Sequence, residues 1–246
     1  MTSPSNVGIV TGASVIGAVH LRQHTPNQDA FKYRTYGYGC VMAVADGVGS
    51  DEYSHYGSRA AVQAVHEAFC AYVRRDISRT QITRTITKFY VSHLKKCYHS
   101  SASTTCLFAA HIVNQGLYLG QIGDGMICGS ISGQPYMLRS AADSFTNIVT
   151  PLSPMRANPV WNTKFIPEDR LKSICLMLAT DGISEDILPN KESDFASYLV
   201  DHIKARKPGE RQKKLVHILE NWETPQSLDD KTIVLYQYFG NESEGI

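Results

Sequence analysis

Apolar residues in this 246-residue chain change period four times, from strand to helix, back to strand, to helix again and finally to strand. Strands therefore come in runs instead of alternating singly with helices. That grouping favours antiparallel sheets layered with helices over a doubly wound parallel sheet. The first run, residues 14–20 and 40–46, reads as two neighbouring strands joined by a polar loop with Gly and Tyr. Residues 56–74 place Ala60, Ala64 and Ala68, with Val62, Val65 and Phe69, at helical spacing, and residues 82–98 repeat the pattern. A short link at 78–80 would make these two helices an antiparallel pair. Strand alternation returns over 104–112, 117–122, 126–131 and 135–138, read as an antiparallel meander. Residues 140–170 lose periodicity, carry Pro151, Pro154, Pro159 and Pro167, and read as a flap. A strand at 174–179, helices at 194–204 and 210–220, and a strand at 231–239 complete the order.

The charge balance narrows the function classes. With 24 basic and 23 acidic side chains the net charge is +1, which excludes a general nucleic-acid binder and a protein held on anionic membranes. Apolar residues at 43% and charged ones at 19% fit a soluble globular chain. The expectation is one domain over residues 1–246, with about 140–170 as a flap-like insertion. Cys40, Cys70, Cys97, Cys106, Cys128 and Cys175 are scattered through apolar stretches with no zinc-ligand spacing, so reduced buried thiols are expected. There is no leader pattern at the N-terminus and no apolar run near the ~20 residues of a membrane span; a cytoplasmic, membrane-free monomer is the expectation.

Four short motifs share one construction, an apolar strand meeting an aspartate: Val44-Ala45-Asp46-Gly47, Ile122-Gly123-Asp124-Gly125, Leu178-Ala179-Thr180-Asp181-Gly182 and, ahead of its strand, Leu228-Asp229-Asp230-Lys231-Thr232. Asn27-Gln28-Asp29 adds a fifth acidic site. Aspartates fixed at strand ends suit hard cations such as Mn2+ and Mg2+, which take oxygen ligands. Converging carboxylates without a cation would repel one another. Asp-Gly is equally a common turn dipeptide, so the residues alone leave two readings open, a multi-aspartate metal site or a set of turns.

The order and flanks of these motifs resemble the PPM (type 2C) metal-dependent protein serine/threonine phosphatase family, in its bacterial-like form, over nearly the whole chain. Asn27-Gln28-Asp29-Ala30, Val44-Ala45-Asp46-Gly47-Val48-Gly49, Gly57-Ser58-Arg59-Ala60-Ala61, Ser103-Thr104-Thr105 followed by residues 120–124, Ala179-Thr180-Asp181-Gly182 and Asp229-Asp230-Lys231-Thr232-Ile233-Val234 carry the likeness. It implies an α+β fold, a four-layer α-β-β-α sandwich of two mainly antiparallel sheets with helices on both outer faces. It also implies two Mn2+ or Mg2+ ions and a third weaker site. By this resemblance Asp46 bridges both metals and the Gly47 carbonyl completes the second site. Asp181 and Asp229 hold the first, Asp29 contacts the second, and Asp124 with Asp181 forms the third. The implied reaction is hydrolysis of phosphoserine or phosphothreonine in proteins by a bridging water or hydroxide. Phosphorylated proteins and a cognate Ser/Thr kinase are the implied partners. A catalytically silent module that binds phosphorylated partners on the same fold is the alternative.

Some positions depart from the family pattern. His24 stands five residues before Asp29, where the phosphate-binding arginine is usual, and Arg22 lies two residues further upstream, so Arg22 and His24 are carried as catalytic candidates beside Asp46. Gly123-Asp124-Gly125-Met126 replaces the usual Gly-Asp-Ser-Arg. Neither the Cys-x5-Arg loop of cysteine-dependent phosphatases nor a Gly-x-Ser-x-Gly elbow is present. His93, Cys97 and His99 invite a zinc reading but lack a fourth ligand, and solvated helix-end histidines are the expectation. Trp161 in the aperiodic segment is expected to pack it down, and the basic run from Lys204 to Lys214 to be a solvated helix face.

Overall fold

The computed structural model describes residues 8–49, 51, 53–97, 102–139, 150–156, 158–222 and 227–240. In chain order these form β1 (Ile9–Val15), α1 (Ala18–Gln23), β2 (Asp29–Tyr36), β3 (Gly39–Asp46), α2 (Ser54–Val73) and α3 (Ile82–Lys96). Next come β4 (Cys106–Ile112), β5 (Gly116–Ile122), β6 (Met126–Ile131), β7 (Gln134–Leu138), β8 (Asn162–Pro167) and β9 (Ser173–Ala179). The chain continues through α4 (Asp181–Ser184), α5 (Glu192–Lys204), α6 (Pro208–Glu220) and β10 (Lys231–Phe239). The strands build two five-stranded antiparallel sheets, ordered β1-β10-β9-β6-β7 and β2-β3-β4-β5-β8.

Strand alternation explains why there are two sheets with three apolar layers. In β3, Cys40, Met42 and Val44 face the other sheet, where they meet Leu176, Leu178, Val234 and Tyr236. The intervening Val41, Ala43 and Ala45 face outward onto α2 and α3, against Ala61, Ala64, Phe69 and Ile86. On the opposite face Met177, Ala179, Ile233 and Leu235 pack under α5 and α6, against Leu199, Ile203 and Leu215. A strand buried on both sides loses the polar-out positions of a one-sided sheet, which is why these strands read as nearly continuous apolar runs. The result is the expected α-β-β-α sandwich. Alanines on α2 let it lie close to its sheet, and the link into α3 is fixed by Ser78 and Gln81, whose side chain accepts from the Ser78 N–H at 2.8 Å.

Several local expectations are corrected. Residues 14–20 are not one strand: β1 stops at Val15 and α1 begins at Ala18. The polar loop with Gly and Tyr contains β2, an edge strand in which Arg34 and Thr35 are exposed and break the apolar pattern. The meander is two hairpins in different sheets, because β5 does not pair with β6. The chain crosses between sheets at Gly123-Asp124-Gly125, whose glycines take φ of 88° and 82°. A Cβ on Gly125 would also stand 2.7 Å from the Ala179 carbonyl oxygen. Of the segment read as a flap, residues 162–167 are β8 on the sheet edge, and Leu152 bridges to Thr104; residues 140–149 and 157 lie outside the described residues. Trp161 packs on Phe108 with ring centroids 5.6 Å apart. His93 pairs with Glu67 at 3.0 Å, and His99 lies outside the described residues. No described helix is long and apolar enough to cross a membrane.

Candidate metal centre

The alternation that fills the inter-sheet layer also decides where the strand-end aspartates point. Asp46 continues the inward series of Cys40, Met42 and Val44, and Asp29 continues that of Phe31 and Tyr33. The β2–β3 register sets Asp29 directly opposite Asp46. Thr180 extends the inward series of β9, so its hydroxyl crosses the gap and donates to Asp29 Oδ2 at 2.8 Å. Asp181 follows at the start of α4, and Asp229 and Asp230 precede β10, the strand paired with β9. Asp124 enters from the corner between β5 and β6.

The end of β3 is held firmly. The Asp46 carbonyl accepts from Thr104 Oγ1 at 2.6 Å and from the Thr105 N–H at 2.8 Å, while its own N–H donates to Thr105 Oγ1 at 3.2 Å. Gly47 then passes so close to α2 that a Cβ there would stand 2.6 Å from the Ser54 Cβ. A glycine is required by that approach. One carboxylate oxygen each from Asp46, Asp124 and Asp181 lies within 4.8 Å of the others.

Every resolved shift among these acids is upward. Burial, with the charge of Asp230 added, raises Asp29 to about 7 despite hydrogen bonds from Thr232 and Thr180. Burial holds Asp46 well above the carboxylate range, helped by the charges of Asp29, Asp181 and Asp229. Asp124 is raised to about 6 by burial and by Asp181, and Asp181 itself is raised by burial and by Asp229. No arginine or lysine offsets this crowding within ion-pair distance among the described residues. Asp29 Oδ1 and Asp124 Oδ1 are buried with no hydrogen-bond partner. Buried acceptors are almost always satisfied, so two bare carboxylate oxygens in an all-oxygen cluster fit a hard divalent cation such as Mn2+ or Mg2+.

Not every acid has this character. Asp230 is buried and fully engaged: its Oδ1 accepts from the Gly17 N–H at 2.7 Å, its Oδ2 from the Gln28 N–H at 2.6 Å, and His20 Nδ1 stands 2.9 Å from Oδ2. Asp230 thereby ties α1 and the entry to β2 onto β10. Its neighbour Asp229 is half-exposed, 3.7 Å from the same His20 nitrogen. Of the three catalytic candidates only Asp46 stands in the cluster. Arg22 and His24 are exposed, and among the described residues neither makes a hydrogen bond or ion pair to the acids. His24 ends α1 with φ of 54°. Arg22, two residues beyond His20, lies about 200° round the helix from it. His20, Thr180 and Asp230 went unassigned in the sequence. For Asp230 the doubled Asp229-Asp230 was a signal, since one of two adjacent acids faces inward where the other faces the cleft.

Solved structures share this fold. The serine/threonine phosphatase Stp1 from Staphylococcus aureus aligns over 98% of this chain and 100% of its own, at TM-score 0.63 and 16% identity. The PPM Ser-Thr phosphatase MsPP from Mycobacterium smegmatis, solved with cacodylate, aligns over 95% and 99% at TM-score 0.64 and 17% identity. The catalytic domain of the serine threonine protein phosphatase PstP, solved with two manganese ions, aligns over 95% and 99% at TM-score 0.61 and 15% identity. No curated protein sequence matches the chain. The description Protein phosphatase 2C matches residues 16–220, which is most of the chain and includes Asp29, Asp46, Asp124 and Asp181; the chain belongs to this family of protein serine/threonine phosphatases.

Proposed function

We propose that the chain is an active metal-dependent phosphatase that hydrolyses phosphoserine and phosphothreonine in proteins. The observation that carries this reading is the collection of Asp29, Asp46, Asp124, Asp181 and Asp229 at one end of the sandwich, with the carboxyl groups of the first four raised and two buried oxygens bare. A catalytically silent module would gain nothing from carboxylates that destabilise one another.

Asp46, Asp181 and Asp229, with Asp29, Asp124 and the Gly47 carbonyl, would hold two Mn2+ or Mg2+ ions, with Asp124 and Asp181 serving a third. When bound, the cations would acidify water and neutralise charge on the phosphoryl oxygens. The chain's own residues do the positioning. Thr104 and Thr105 fix the Asp46 backbone, Thr180 orients Asp29, and Asp230 holds α1 and the start of β2 in place. Cysteine is a poor rival nucleophile here, since burial pushes the Cys40 and Cys128 thiols up to about 12. Arg22, exposed and without an ion pair among the described residues, is proposed as the cation that meets the substrate phosphate, and His24 as a helix-end residue. Phosphoproteins made by a Ser/Thr kinase are the proposed substrates, and a cytoplasmic monomer the proposed form. Residues 1–246 are proposed as one domain with about 140–170 as a flap-like insertion.

Turnover of a small aryl phosphate with Mn2+, with EDTA and with Asp46→Asn tests the reading. Activity is expected only in the unsubstituted protein with metal. Turnover in EDTA, or an undiminished variant, overturns it, and inactivity throughout favours the silent module.

A further inference from the structure

Away from the acids, a groove of about 850 Å³ runs between α3 and the segment that carries Pro154, Arg156 and Trp161. Arg84, Lys88, Lys95 and Arg156 line it, and no acidic residue does. On a helix the spacing 84, 88, 95 returns to within about 40° of one direction, so the three α3 cations form one stripe about 16 Å long. Some surface cations are paired with acids, as in Lys191–Asp194, Lys204–Asp201 and Arg74–Asp76. These four have no acid within ion-pair distance among the described residues, and all four are exposed. In a chain with net charge +1, this is a local concentration of positive charge with apolar side chains beside it: Met155 is 85% and Val160 79% exposed.

The groove is also joined to the metal centre. Its wall begins two residues after Leu152, whose backbone pairs with Thr104, and the Thr104 hydroxyl bonds the Asp46 carbonyl at 2.6 Å. Two strand spacings of ~4.8 Å, from Asp46 to Thr104 and from Thr104 to Leu152, and two residues of chain put the start of the groove wall within about 16 Å of Asp46, the span of about five extended residues.

We propose that this groove is a docking site for an acidic peptide segment flanking the phosphorylated residue of a protein substrate. Carboxylates on the substrate pair with Arg84, Lys88, Lys95 and Arg156, and its apolar side chains meet the wall around Trp161. A nucleic acid is the poorer occupant, because four cations on a nearly neutral chain supply little of the counterion release on which such binding depends. The inference rests on the phosphatase reading for its kinetic consequence only; the binding consequence stands apart from turnover.

Two fluorescein-labelled phosphoserine peptides, with four glutamates on one side or the other of the phosphoserine, are compared with glutamine versions. Binding is followed by anisotropy to the full chain carrying Asp46→Asn, and kcat/KM is measured on the unsubstituted enzyme. One glutamate peptide is expected to bind about tenfold tighter than its glutamine version, an advantage that shrinks with salt and appears in KM. Arg84→Glu with Lys88→Glu should erase the advantage and leave aryl phosphate turnover unchanged. Equal binding of glutamate and glutamine peptides overturns the proposal, as does an advantage that survives both this pair and Lys95→Glu with Arg156→Glu. Tighter binding of a single-stranded oligonucleotide than of either peptide also overturns it. If no phosphate is turned over but the binding advantage holds, the groove stands and the phosphatase reading falls. Normal turnover without discrimination gives the reverse.

Discussion

Thr180 Oγ1 reaches from the end of one sheet to Asp29 Oδ2 at the start of the other, 2.8 Å away, and so fixes one oxygen of a buried carboxylate while its partner oxygen stays bare. The same hydroxyl accepts from the Thr232 N–H at 3.1 Å, so it serves two sheets and a strand pair at once.

Thr180→Val keeps the shape and removes both bonds. It should destabilise the protein by about 1–3 kcal/mol, since a buried N–H and a carboxylate oxygen lose their partner. Because Thr180 acts through Asp29, Mn2+ affinity should also drop about 10–100-fold. Calorimetric titration with Mn2+ beside a denaturant melt separates the two effects, and unchanged affinity would remove Thr180 from the site.

The raised carboxyl groups make a pH prediction with a definite sign. Asp29 moves from 3.8 to about 7 and Asp124 from 3.8 to about 6. Between about pH 4 and 7 the metal-free folded protein therefore holds more protons than the unfolded chain, and its stability falls as pH rises. The loss is complete above the folded value and approaches ~1.4 kcal/mol per pH unit for each fully developed group. In EDTA, the Tm should decline from pH 5 to pH 8. Saturating Mn2+ should raise Tm more at pH 8 than at pH 6, because binding at low pH must first displace protons.

Asp46→Asn removes a charge that Asp29, Asp181 and Asp229 all oppose. The metal-free variant should melt a few degrees above the unsubstituted protein at pH 8, lose its Mn2+-induced shift in Tm, and lose turnover by about 10²–10³-fold or more. Lower stability together with a retained metal shift would mean that Asp46 serves packing instead.

Arg22 is exposed on α1, so its truncation should cost no stability. If it meets the phosphate, Arg22→Ala raises KM for a small aryl phosphate about tenfold at unchanged Tm. An unaltered KM assigns phosphate recognition to the cations alone.

How much of this was legible in the sequence depends on what each residue faces. Strand alternation over 126–131 and 231–239 matches Met126–Ile131 and Lys231–Phe239 residue for residue. β2 gives no such signal, because Arg34 and Thr35 are exposed polar positions and its placement depends on pairing with β3. The meander failed at Asp124 because local periodicity marks strands without saying which sheet receives them; only two left-handed glycines at 123 and 125 record the crossing. At the site, aspartates at strand ends were visible as types. The orientation of Thr180, and the division of labour between Asp229 and Asp230, arise from contacts up to 213 residues apart that no spacing encodes.

That division yields the sharpest contrast between neighbours. Asp230 accepts two backbone N–H groups, from Gly17 and Gln28, and stands against His20, all buried, whereas Asp229 is half-exposed and its Oδ1 accepts only the Asp230 N–H at 2.8 Å among the described residues. Asp230→Ala strands two buried donors and frees α1 and the start of β2 from β10, which should cost about 3–5 kcal/mol. Asp229→Ala leaves those bonds intact, so its stability should stay within about 1 kcal/mol at neutral pH while Mn2+ affinity and turnover collapse. Denaturant midpoints and Mn2+ titrations on both variants check the pair. If Asp229→Ala unfolds the protein and Asp230→Ala abolishes metal binding at full stability, the two roles are exchanged, and the ligand set proposed for the centre must be redrawn around Asp230.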